Sequence, residues 1–419
     1  MANRSMQAFA VLWFGQMISI IGSAMTWFAF TIWVWEKTEQ AASLALVGFF
    51  TFLPSLLFSP FAGAFVDRWN RKLTLMFSDM ASAIATIVVF LIYISGSLEL
   101  WHIYILGLLT GVFTAFQYPA YITVATLMVP KEHYARAEGM MGLAHAFSGL
   151  LAPILAAILL SKIGMEGIML LDLLTFLFAF GALLWIRIPP RTSPEPASPT
   201  QSRILRDVSF GFRYIHSKPS LRALIGLFMF ANFFLAVGAT LMAPLILSQT
   251  GDKSLLAGVQ SSGAFGGIAG GTLLGIWGGP KKRMNGILLG GVGACLLGVA
   301  GLGVGRSVIV WGIASFLFAF FEPFVEGGNL AIWQSKVDVD IQGRVLSARR
   351  LLVQVPYLFG MAASGWLADH LLFENNFSVL LVLAGLIGST AFLVGFIVPP
   401  LRDVERILPD KNLQFAEGT

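Results

Sequence analysis

The 419-residue chain is poor in the residues that most enzymes and soluble domains rely on: it has one cysteine, five histidines and only 12% charged residues. Its single cysteine, Cys295, sits inside an apolar block, which excludes an intrachain disulfide and any cysteine-based metal spacing. The histidines are scattered and form no ligand cluster, so neither a metal site nor a cofactor is expected. There is no Gly-x-x-x-x-Gly-Lys-Ser/Thr loop to cradle phosphates, which argues against ATP-driven work by this chain. The same lack of clustered polar groups disfavours a membrane-embedded enzyme or receptor, the alternative of another class. Ordinary globular domains carry about 25% charged residues, so the charge deficit removes the solvated face such a domain needs. The formal net charge is +5, but the basic residues are spread over short segments and form no patch for nucleic acid.

What fills the chain is apolar. Hydrophobic residues make up 57% of it, and they gather into blocks instead of alternating with polar ones. Apolar segments fall near 8–35, 43–66, 73–95, 100–129, 136–161, 165–187, 220–248, 255–279, 284–305, 308–335, 343–372 and 376–399. At about 1.5 Å per residue each is long enough for a hydrocarbon core of about 30 Å. The first, although preceded by Arg4, is too long for the apolar core of a signal peptide and reads as a retained helix. The expected fold class is therefore an all-α membrane protein with twelve transmembrane helices in two pseudo-symmetric six-helix bundles.

Lys and Arg orient these spans. With both termini on one side, 23 of the 27 basic residues fall on that side, leaving only Lys37, Lys162, Lys253 and Arg306 on the other. Cytoplasmic loops carry such an excess, so the N- and C-termini are expected in the cytoplasm of a multi-pass plasma (inner) membrane protein. Pro189 to Pro219 is a different kind of chain, Pro/Ser-rich at first and then amphipathic over Ile204 to His216. It divides the sequence into an N-terminal bundle at 1–187, a cytoplasmic linker at 188–218 and a C-terminal bundle with a short tail at 219–419. The halves resemble each other weakly: Val129 and Arg136 fall on Val337 and Arg344, and Arg71-Lys72 on Lys281-Lys282.

Between the second and third spans lies Gly63-x-x-x-Asp67-Arg68-x-Asn70-Arg71-Lys72, a packet of four charges at a membrane face. In this position the motif closely resembles the signature loop of the major facilitator superfamily, and the topology extends that resemblance over nearly the whole chain. The resemblance implies a cytoplasmic gate built from Gly63, Asp67, Arg68, Asn70, Arg71 and Lys72, latching against the eleventh helix near Arg344. Gly63 permits close helix approach, Asp67 suits the positive end of a helix, and Asn70 tolerates the left-handed turn conformation. Asp79, about two turns into the third helix, is assigned to the same gate. The equivalent second-half loop, Gly275 to Arg283, keeps the cations and has lost the acid, which implies two unequal latches. Gly149, Ala152 and Pro153 resemble a softened form of the exporters' fifth-helix motif and are expected to pack and bend that helix. With Asp172 and the Gly343-Arg344-Val345 start of the eleventh helix, the pattern most resembles the macrolide-efflux-like and siderophore-exporter-like subgroup.

Ionisable residues inside spans are costly and mark function. Glu322 and Glu326, four apart around Pro323, lie on one face of the tenth helix, where like charges resist joint ionisation and favour a held proton. With His145 they are the candidates for proton coupling or substrate binding. Gln16, Gln117, Asn232 and Gln354 are the candidate cavity-lining polar residues. The expected function is secondary export of an amphipathic organic molecule, a drug, antibiotic or siderophore-like compound, by proton-coupled alternating access. Uptake or lipid-related transport by the same fold is the alternative. The expected partners are that small molecule, protons and membrane lipid, with the protein a monomer.

Overall fold

The computed structural model describes residues 2–186, 201–370 and 376–407, and the side chains of 2–5, 63–65, 67, 68, 131 and 201–208 lie outside the description. The Pro/Ser-rich start of the linker, and the side-chain surroundings of Gly63, Asp67 and Arg68, are therefore outside it as well. Among the described residues the regular structure is helical throughout. That is what an apolar solvent imposes, because only a helix satisfies its own backbone groups within one segment.

The first half contains α1 (Ala2–Thr38), α2 (Ala41–Arg68), α3 (Arg71–Ile94), α4 (Leu100–Met128) and α5 (Tyr134–Trp185). The second contains α6 (Gln201–Ser217), α7 (Pro219–Thr250), α8 (Lys253–Trp277), α9 (Arg283–Val292), α10 (Ala300–Val304), α11 (Val308–Lys336), α12 (Val339–His370), α13 (Phe377–Gly395), α14 (Pro399–Arg402) and α15 (Val404–Ile407). A π-helical stretch, Gly293–Val299, joins α9 to α10.

Among the described residues ten helical segments are long and apolar enough to cross a membrane, against the twelve spans expected. The difference has two sources. At 52 residues α5 would measure about 78 Å, and it breaks at Gly164, whose φ of 66° and ψ of −176° are open to glycine alone; the fifth and sixth expected spans are its two limbs. The eighth expected span is the helix α8, whose many glycines and serines dilute its apolar character. The glycines have a packing role: a Cβ at Gly266 would lie 2.1 Å from the Phe316 carbonyl oxygen of α11, so only glycine permits this approach.

The chain forms two compact units. The first comprises Met1–Glu39, Leu46–Thr200 and Asp252–Ser261, and the second Gln40–Ala45, Gln201–Gly251 and Ser262–Thr419. Phe9, Leu12, Leu75, Val124 and Leu183 are buried together in the first, and Leu221, Ile287, Trp333, Val345 and Phe392 in the second. The amphipathic part of the linker is helical, as its spacing implied, and α6 belongs to the second unit. Its Gly211 allows it to press on α12, where a Cβ would meet the Arg344 carbonyl oxygen at 2.5 Å.

Helix ends on the loop side show how charge is matched. Asn70 is the N-cap of α3, with φ −64° and ψ 111° and its side-chain oxygen accepting from Lys72 N and Leu73 N at 3.1 and 3.3 Å. The left-handed conformation expected for it is not adopted, because an extended N-cap satisfies two otherwise unpaired donors. Lys72 donates through Nζ to the carbonyl oxygens of Leu184 and Ile186 at 3.1 and 2.6 Å, a cation at the negative end of α5. In the second unit the acid missing from the 275–283 loop comes from elsewhere: Glu405 of α15 accepts from Arg283 N and Met284 N at 3.3 and 3.2 Å, capping α9.

Candidate functional site

Three polar stripes and two polar residues of a fourth helix converge inside the first unit. On α1 they are Gln16, Ser19, Ser23 and Thr26, spaced three, four and three residues apart and hence on one helical face. Asp79, Ser82 and Thr86 repeat this spacing on α3, and Thr110, Thr114 and Gln117 do so on α4. The two limbs of α5 contribute His145 and Asp172. Together with Trp27, Phe30 and Phe176 these residues line a cavity of about 300 Å³, near the lower end of the range for small-molecule pockets. Helix contact behind it is close, since a Cβ at Gly22 would fall 2.2 Å from the Thr175 hydroxyl.

Both carboxyl groups are buried and hydrogen-bonded. Asp79, 6% exposed, accepts from Gln16 Nε2 at 2.9 Å and from Gln117 Nε2 at 2.5 Å. The Asp172 side chain, equally buried, accepts from the Ser23 hydroxyl at 2.9 Å. No Lys or Arg lines the cavity, and neither acid forms a salt bridge among the described residues. An ionised carboxylate taken out of water without a counter-charge costs several kcal/mol. Neutral amide and hydroxyl donors recover part of that cost. The arrangement therefore suits a proton or an organic cation, either of which removes the imbalance.

This geometry redistributes the candidates. Gln16, Gln117 and His145 line the cavity as expected, His145 with an exposed side chain. Asp79, expected at the Arg-rich gate from its place two turns into α3, lines the cavity and is held by two glutamines. Asp172, valued in the sequence only as a subgroup mark, is the second buried acid. The signal that could have found both is the recurrence of polar residues at three and four on otherwise apolar helices. Ala152 and Pro153 are buried and Gly149 is exposed, while α5 stays helical through Pro153 and breaks only at Gly164.

The remaining candidates lie in the second unit. Asn232 and Gln354 are half-buried on α7 and α12. Glu322 is exposed on α11, which continues through Pro323. Glu326 pairs instead with Arg349 of α12, Nη2 to Oε2 3.0 Å. Glu326 therefore has a cation of its own, four residues from Glu322. Arg344, expected at the gate, places its guanidinium 5.6 Å over the Phe210 ring of α6.

The family model described as Major Facilitator Superfamily matches residues 12–361. The chain is 26% identical over 408 residues to macrolide efflux protein A of Streptococcus pyogenes, covering 95% of this chain and 97% of that one. It is 22% identical over 432 residues to the multidrug efflux pump Tap of Mycolicibacterium fortuitum, covering 97% and 99%. Among solved structures it is similar to the nucleoside transporter NupG, with a TM-score of 0.75 at 10% identity over 92% of this chain and 98% of that one. A bacterial homologue of the human lysosomal transporter Spinster gives 0.62 at 16% identity, over 93% and 95%. At these identities the structural likenesses speak for the fold alone.

Proposed function

Because the chain belongs to the Major Facilitator Superfamily and is a multi-pass membrane transporter, we propose that it is a secondary exporter of amphipathic organic molecules, driven by protons entering the cell. The carrying observation is the cavity of the first unit, where Asp79 and Asp172 are buried without a cation and are served only by neutral donors. A carboxyl in such a place is stable when it holds a proton, or when a cationic group of the substrate lies beside it. Loading one and releasing the other couples two fluxes. In this reading Asp79 and Asp172 are the proton carriers of the first unit and Glu322 that of the second. Trp27, Phe30 and Phe176 give an amphipathic substrate its apolar contact.

The export direction is supported by the printed names of the relatives, a macrolide efflux protein and a multidrug efflux pump. The cytoplasmic gate from Gly63 to Lys72, the cytoplasmic placement of both termini, the monomeric state and the domain limits are parts of the same proposal. The loop motif supports the gate, and the basic-residue asymmetry supports the placement of the termini. Cells expressing the protein are expected to accumulate less of a macrolide or a lipophilic organic cation than cells lacking it. A protonophore should abolish the difference. Equal accumulation with and without the protein, across macrolides, organic cations and siderophores, would exclude the exporter reading.

A further inference from the structure

Where α6 ends and α7 begins, the second unit encloses a groove of about 600 Å³ that the transport proposal does not use. Its floor is apolar, formed by Phe212, Ile225, Met229 and Leu352. Arg213, His216 and Arg222 stand at its rim, and no Asp or Glu lines it. These three residues and Lys218 are exposed and make no ion pair among the described residues. Lys218 is the N-cap of the 32-residue α7 and provides no side-chain cap, so the positive end of that helix adds to the same field.

The groove has the proportions of a lipid. From Arg222 to Met229 the helix rises about 10 Å, a path from the interfacial zone into hydrocarbon along a membrane-spanning helix. Midway, a Cβ at Gly226 would meet no atom within 4 Å, so the floor is open there. A free anion would leave the apolar floor empty, and a zwitterionic lipid would gain little from an unopposed basic rim. We propose that this groove binds an anionic phospholipid, with the phosphate between Arg213 and Arg222 at the start of α7 and an acyl chain running past Gly226 and Met229.

The test uses the purified full-length chain, exchanged into mixtures of phosphatidylglycerol and phosphatidylcholine, with retained lipid counted by native mass spectrometry. Wild-type protein is expected to retain phosphatidylglycerol preferentially. The double variant Arg213→Gln/Arg222→Gln should lose that preference by about fivefold per arginine. Gly226→Leu, whose side chain enters open space, should lower retention of both lipids. Equal retention of the two lipids by wild type would show an ordinary annular groove and overturn the proposal. A preference unchanged in the double variant, or retention unchanged in Gly226→Leu, would overturn it too.

Discussion

Asp79→Asn separates proton coupling from folding at the cavity. The native carboxylate gives each of two glutamine amides its own oxygen, at 2.9 Å for Gln16 and 2.5 Å for Gln117. Asparagine offers one oxygen and one amino group, so one glutamine must turn its amide over and accept instead of donating. That rearrangement costs about 1 kcal/mol, the net worth of one neutral hydrogen bond. Asp79→Leu leaves both amides without a partner and should cost about 2 to 6 kcal/mol, at about 1 to 3 for each buried unsatisfied group. The asparagine variant therefore folds close to normally while losing its ionisable group. One pH unit is worth about 1.36 kcal/mol per proton, so a gradient of two units supports about a hundredfold substrate ratio for each proton exchanged. In vesicles holding such a gradient, removing one carrier should lower the limiting ratio about a hundredfold, with downhill exchange of substrate preserved. Thermal unfolding of the same preparations checks the predicted stability order, wild type above Asp79→Asn above Asp79→Leu. If Asp79→Asn sustains the wild-type ratio, Asp79 carries no proton and the buried pair with the glutamines is structural.

Asp172→Asn, which keeps an acceptor for the Ser23 hydroxyl, should show the same split, with uphill transport reduced and stability within about 1 kcal/mol of wild type by melting. Glu322→Gln should alter the pH dependence of transport, whereas Glu326→Gln, which breaks a half-exposed pair with Arg349, should cost only about 0.2 to 1 kcal/mol of stability and leave the pH profile in place. Glu405→Ala removes the acceptor for Arg283 N and Met284 N and should destabilise the start of α9 by about 1 kcal/mol, read as faster amide exchange there. Reporter fusions within 188–218 should be cytoplasmic and those near Thr38, Gly251 or Glu374 external; an external linker would place 23 basic residues on the wrong side.

Helices were legible because a hydrocarbon solvent leaves the backbone few alternatives, so long apolar blocks map onto α1 to α4, α7 and α11 to α13, with ends that differ by up to six residues. Gly164 was legible as a breaker for the same reason. The site was legible only in part. Gln16, Gln117 and His145 stood out as polar groups within spans, but Asp79 was judged by its distance from a charged loop, and distance along a helix says nothing about which face it occupies. The Glu326 pairing with Arg349 joins residues 23 apart on separate helices, and no single-helix pattern announces it. Glu405 illustrates the same limit at 121 and 122 residues from the amides it caps. Local periodicity fixed what each helix presents; partner choice between helices required three dimensions.

The coupling claim is tested most directly by recording proton movement and substrate movement together in vesicles containing only this protein. A macrolide or organic-cation gradient, imposed without a pH difference, is expected to drive protons in the opposite direction. The proton flux should fall in Asp79→Asn and Asp172→Asn while downhill substrate exchange persists. Substrate movement at the wild-type rate with no accompanying proton flux would contradict proton-coupled export through this cavity.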